Sequence, residues 1–240
     1  MIKKVPGMGN ETSLHSAIKY WYSLPGDRFE SKVNDFVVDI ARDDLLVEIQ
    51  TKNFSATREK LGSLARNHRV RLVYPIAKEK WIAHVDPLTG RLIRRRRSPR
   101  RGTVLDLFAE LMWIPEITRE RNFSIEVLMI EEEETRCADG KGSWRRRGIS
   151  IRDRELIEVV DRLVFACKED YLNLLPEDLA QPFTNKTLAE SMNIPVTHVR
   201  RMTYCLRKMG AISEVGKRKR ESLFAFSECG QQQDPARGHQ

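Results

Sequence analysis

From position 39 to 52 the chain reads Asp-Ile-Ala-Arg-Asp-Asp-Leu-Leu-Val-Glu-Ile-Gln-Thr-Lys, with Asp39 near the end of one apolar run and Glu48 inside the next. If the two runs are neighbouring strands, these carboxylates meet at one point on a sheet. Paired carboxylates are hard oxygen ligands for a divalent cation, Mg2+ or Mn2+, which hydrolysis of a nucleic-acid phosphodiester usually needs. Asp43 and Asp44 between them are turn residues. Period-two alternation puts Glu48, Gln50 and Lys52 on one face of the second strand. Lys60, with Arg58 behind it, is the other basic group that can reach this point.

The surrounding pattern predicts the elements that would hold these residues. Asn10 or Thr12 caps a helix running to about Tyr22, with Leu14, Ala17, Ile18 and Trp21 as its apolar stripe. Three short apolar segments follow, at 28–33, 35–41 and 45–51, and read as an antiparallel meander. A helix over 55–67 and strands over 70–75 and 80–85 complete the order helix, three strands, helix, strand, strand. That order implies an α/β fold with a mixed sheet flanked by helices.

The order, together with the Asp on the second strand and Glu-Ile-Gln on the third, resembles the PD-(D/E)XK nuclease superfamily, the restriction endonuclease-like fold, over roughly the first 85 residues. The resemblance implies that Asp39 and Glu48 bind Mg2+, that Glu11 is the assisting acid on the first helix, and that a Lys two places after the Glu handles water. Here Gln50 stands in that place. Gln can orient water but carries no positive charge to stabilise an attacked phosphate, so Lys52 or Lys60 must supply it. His15 lies one helical turn after Glu11, within reach of the same point.

The remaining chain divides further. Arg91 and the run Arg94, Arg95, Arg96 and Arg97 have almost no core-forming neighbours and read as an exposed basic arm with affinity for phosphates. A helix over 103–113 and a strand over 123–130 follow, and Glu131 to Glu134 mark a polar edge. Leu156, Val159, Val160, Leu163 and Val164 fit helical spacing. The segment 183–226 resembles a winged helix-turn-helix domain. Thr184 caps a short helix, 196–209 forms the helix that such domains lay in the DNA major groove, and Gly210 stops it. Thr197, His198, Arg200, Arg201, Arg207 and Lys208 would face DNA, with Lys217, Arg218, Lys219 and Arg220 at the wing. Trp144 and Arg145 to Arg147 join the two halves and offer an aromatic and cationic contact. The expected domains are 1–148, nuclease-like, and 149–228, winged-helix, followed by a disordered tail over 229–240.

Bulk properties agree with a nucleic-acid partner without naming one. Lys and Arg outnumber Asp and Glu 42 to 34 among 240 residues, a net charge of +8. With 40% hydrophobic and 32% charged residues, a core is affordable and general disorder is excluded. Cys137, Cys167, Cys205 and Cys229 form no CxxC pair, so neither a zinc module nor a disulfide framework is indicated. The absence of a Gly-rich phosphate loop and of GxSxG leaves ATP hydrolysis and serine hydrolase chemistry unsupported. No apolar stretch is long enough for a signal peptide or membrane span, which implies a cytoplasmic protein.

The expected function is Mg2+-dependent DNA endonuclease. The alternative is a catalytically inactive DNA-binding regulator or adaptor that keeps the fold as a scaffold, and action on RNA is a weaker third. A homodimer is compatible with cutting both strands, although no segment reads as a dimer interface.

Overall fold

The structure is a computed structural model that describes residues 12–227. Glu11, expected as the helix acid, and Cys229 with the rest of the 229–240 tail lie outside the described residues. Thr12 is extended, and its hydroxyl accepts from the His15 N–H to cap α1 (Ser13–Tyr22). Leu14, Ile18 and Tyr22 form the buried stripe, while Trp21, expected on that stripe, is half exposed. Tyr22 gains a polar anchor in exchange, its hydroxyl donating to buried Glu126 at 2.6 Å.

β1 (Arg28–Val33), β2 (Phe36–Arg42) and β3 (Leu45–Ile49) form the expected antiparallel meander. Its turns place Asn34 and Asp43 in the left-handed region (φ 53° and 44°), which short amide and acid side chains tolerate best. α2 (Arg58–Ala65) buries Leu61, Leu64 and Ala65 and is the crossover that sets β4 (Arg69–Val85) parallel to β3. A turn tied by the Asp86 carboxylate, which accepts from Leu88 and Thr89, sends β5 (Leu92–Arg97) back along the far half of β4. A 3-10 turn and the short helix α3 (Leu107–Leu111) lead to β6 (Phe123–Cys137), parallel to β4, and β7 (Ser150–Phe165), antiparallel to β6. The seven-stranded sheet has the order β1-β2-β3-β4-β6-β7, with β5 also on β4. The fold is α/β, a mixed sheet flanked by helices.

Three expectations are corrected. Segments 70–75 and 80–85 are one strand: β4 carries Pro75 and continues through a bulge between Ala77 and Glu79. Glu131 to Glu134 do not end a strand but continue β6, because cations on neighbouring strands neutralise them: Lys80 of β4 lies 2.7 Å from Glu132, and Arg154 of β7 lies 3.4 Å from Glu134. Segment 151–164 is the edge strand β7 rather than a helix, so the sheet reaches Phe165 instead of ending near 148.

After β7 come α4 (Lys168–Leu172), α5 (Asn185–Met192), α6 (Val196–Met209) and the hairpin β8 (Ile212–Arg218) and β9 (Glu221–Phe226). Thr184 accepts from the Thr187 N–H as the expected cap, and Gly210 ends α6 at φ 76°, where a side chain would be strained. One face of the sheet packs with α1 through Leu14, Ile18, Ile40, Val47 and Leu128. The other face forms a single core with α2, α3 and the C-terminal helices, from Leu72 and Ile125 through Phe108 to Val199 and Leu206. No helix among the described residues is long and apolar enough to cross a membrane.

Candidate active site and nucleic-acid interface

Strands β2 and β3 pair from Arg42↔Leu45 to Ile40↔Val47, and Asp39 and Glu48 are the next residues along, where the regular pairing ends. Both residues are buried, each only 7% exposed. Asp39 Oδ2 accepts from the Ile49 N–H at 2.7 Å, so its side chain is held against the end of β3. The two acids therefore occupy one corner, as their spacing implies.

Basic groups from both flanking helices converge on it. On α1, His15 Nε2 stands 3.2 Å and Lys19 Nζ 3.3 Å from Asp39 Oδ1, and Lys19 also pairs with Glu30. On α2, Lys60 Nζ is 2.5 Å from Glu48 Oε2. Burial pushes the Asp39 carboxyl upward, but the His15 contact, the Ile49 N–H and Lys19 overcome it and hold the group below its ordinary range. Glu48 goes the other way: burial first, then the Asp39 charge, raise it to about 7 despite Lys60. The two carboxyls sharing this corner repel each other, and Lys60 alone does not offset burial and that repulsion at Glu48. Two oxygen-donor acids in that condition suit a hard divalent cation, and this is the observation by which Mg2+ or Mn2+ fits. Among the described residues no three His, Cys, Asp or Glu side chains gather as a metal group, so Asp39 and Glu48 are a pair, not a complete ligand set.

The basic candidates separate. Lys60 joins the acids, whereas β3 stops at Ile49, so the alternation expected to align Lys52 with Glu48 ends before it and Lys52 lies exposed in the following bend. Gln50 stays beside the strand end, its N–H bonded to the Val73 carbonyl at 3.0 Å. Its side-chain nitrogen donates to the Asn53 carbonyl at 3.3 Å, which leaves the amide oxygen as an acceptor. Lys19 was not singled out by spacing; its signal was its position one turn after His15 on the helix opposite the acids.

The C-terminal candidates are arranged as expected on α6. Val199, Met202, Cys205, Leu206 and Met209 are buried, and Thr197, His198, Arg200, Arg201, Arg207 and Lys208 are exposed. Two of these are already engaged, Arg207 with Glu214 at 3.3 Å and Lys208 with Glu116 at 3.4 Å. Lys217, Arg218, Lys219 and Arg220 form the exposed tip between β8 and β9. Arg94 to Arg97 are exposed on β5, and Trp144 is exposed with the Arg145 guanidinium over its ring.

Residues 12–166 match the family described as Domain of unknown function (DUF8091). The chain belongs to that family. The DUF8091 match ends one residue past β7, so the family unit coincides with α1 and the complete sheet, and α4 to β9 lie beyond it. An "Uncharacterized protein" of Treponema pallidum (strain Nichols) is 27% identical over 226 residues, covering 94% of this chain and 89% of that protein. That likeness therefore extends through the C-terminal elements as well as the DUF8091 unit. No solved structure matches the chain.

Proposed function

We propose that this DUF8091 protein is a metal-dependent DNA endonuclease of the PD-(D/E)XK type, with Asp39, Glu48 and Lys60 at its active site. The meeting of two buried acids with a lysine at the open end of β2 and β3 carries the reading. A bound Mg2+ or Mn2+, held by Asp39 and Glu48, supplies Lewis-acid stabilisation of charge on a phosphoryl group. Lys60 places a positive charge beside Glu48, taking the part that Gln50 cannot. The Gln50 amide oxygen accepts from and orients water, while His15 and Lys19 keep Asp39 ionised. α5, α6 and the β8–β9 hairpin form a winged-helix DNA reader, with Arg200, Arg201 and the tip residues Lys217 to Arg220 on phosphates or base edges.

The test is incubation of supercoiled plasmid with the full chain and Mg2+ or Mn2+. The wild type is expected to nick or cut it, and Asp39→Ala and Glu48→Ala are expected to lose cleavage while retaining DNA binding. Undiminished cleavage by both variants would dismiss the assignment.

A second reading, DNA binding without cleavage, is favoured by one observation: the Asp39 oxygens already meet His15, Lys19 and the Ile49 N–H. It predicts salt-sensitive binding with no cleavage under any divalent ion.

A further inference from the structure

The four successive arginines of β5 do not share one environment. Strand alternation sends Arg95 and Arg97 to one face and Arg94 and Arg96 to the other. On the first face the charges are used internally. Arg95 lies 2.5 Å from Glu133 with its guanidinium 4.1 Å above the Trp81 ring, and Arg97 pairs with Glu79. On the second face Arg94 pairs in register with His84, and Arg96 with Ile82. Neither Arg94 nor Arg96 has an acidic partner among the described residues, and both are exposed.

The rest of that second face is cationic too. Register places Lys80, Arg136 and Arg154 on it, opposed by Glu132 and Glu134. Five cations then face two carboxylates, and the acids are consumed: Glu134 has Lys80, Arg136 and Arg154 within 3.4 Å, and Glu132 has Lys80 at 2.7 Å. The surplus is Arg94 and Arg96. Burial and then Arg94, Arg136 and Arg96 depress the His84 imidazole below its ordinary range, as a local positive field requires.

We infer that the face of the β4–β5 arm bearing Arg94 and Arg96 is a second nucleic-acid contact, binding consecutive phosphates of a duplex, while Arg95 and Arg97 are internal struts. This rests on the proposed DNA-directed function. Two residues along a strand span about 6.7 Å, so the two guanidinium groups fit neighbouring phosphates of one strand. The geometry also relates the arm to the acidic corner. β5 continues the sheet edge that β3 leaves, and from Val73, beside Ile49, to Trp81, beside Arg97, β4 advances eight residues, about 26 Å. Along the strand direction that separates the arm from the acidic corner by roughly eight base-pair steps of a duplex.

The experiment measures affinity of the full chain for a duplex of about 30 base pairs against salt, with chelator present, for wild type, Arg94→Gln/Arg96→Gln and Arg95→Gln/Arg97→Gln. Losing two phosphate contacts should flatten the slope of log K against log salt by about 1.8, so that between 50 and 200 mM salt the wild type loses about 12-fold more affinity than the Arg94/Arg96 variant. The Arg95/Arg97 variant should change the slope by less than half as much and instead lower the melting temperature. An unchanged slope in the Arg94/Arg96 variant, with wild-type binding intact, overturns this inference and leaves the proposed function standing. Equal slope changes in both variants also overturn it, as does a loss of binding to phosphatidylserine vesicles with DNA binding preserved. No DNA binding by the wild type removes the functional reading itself.

Discussion

At Glu48, burial and a neighbouring acid raise a carboxyl to about 7, and the direction of that shift has consequences for pH. A raised carboxyl binds its proton more tightly folded than unfolded. Its contribution to stability is present near the unfolded value and is lost as pH rises through about 7. Thermal melts of the metal-free protein should therefore fall between pH 5.5 and 8 by more than those of Glu48→Gln, and the same slope in both would contradict it. Lys60 lies on the same corner, and Lys60→Ala should lower cleavage by about 10²–10³-fold, the effect of removing one charge-stabilising donor, with DNA binding retained. Lys52→Ala should stay within a few-fold of wild type, because Lys52 is exposed beyond the end of β3. The acids were legible from sequence because both interrupt apolar runs. The choice between Lys52 and Lys60 was not, because it depends on where β3 stops and how α2 crosses over it.

At the scale of elements, α6 shows why helical spacing was readable there and misleading at β7. On α6 Val199, Met202, Thr203 and Leu206 are buried, Val196 in the first turn is only partly buried, and Gly210 ends the helix. On β7 the residues Arg152, Ile157 and Val160 are extra, each opposite a register shift against β6. Three bulges move the alternation out of phase, so Leu156, Val159, Val160, Leu163 and Val164 imitate a 3.6-residue repeat while lying on a strand. The same bulges twist a 16-residue edge strand away from regular pairing, which protects it from other chains. The Glu131 to Glu134 run misled for another reason: its partners Lys80, Arg95 and Arg154 are distant in sequence and adjacent only after pairing. For DNA contact by α6, Arg200→Ala and Arg201→Ala should each flatten the salt slope by about 1. Arg207→Ala and Lys208→Ala should do less, because Glu214 and Glu116 already hold those side chains. Equal effects at all four positions would contradict that assignment.

Across the whole molecule, the C-terminal elements are not hung from the sheet by a loose linker. Phe108 and Leu111 of α3, Tyr171 of α4 and Val199, Cys205 and Leu206 of α6 belong to the core that continues beneath Leu72 and Ile125. Sequence reading divided the chain at 148 because contacts between α3 and α6, about 90 residues apart, leave no local pattern. This continuity predicts one cooperative unfolding transition. Leu206→Ala, at a fully buried site, should destabilise it by about 2–5 kcal/mol and lower the single calorimetric peak; two separate peaks, with only one moved, would contradict a shared core.

The shared acidic corner is tested most directly by calorimetric titration of Mn2+ into the full chain at pH 8, above the range where Glu48 holds its proton. Saturable binding in the wild type, lost in both Asp39→Asn and Glu48→Gln with the fold intact by circular dichroism, is the predicted result. Mn2+ binding that survives both substitutions, or none in the wild type with duplex DNA present, would contradict it.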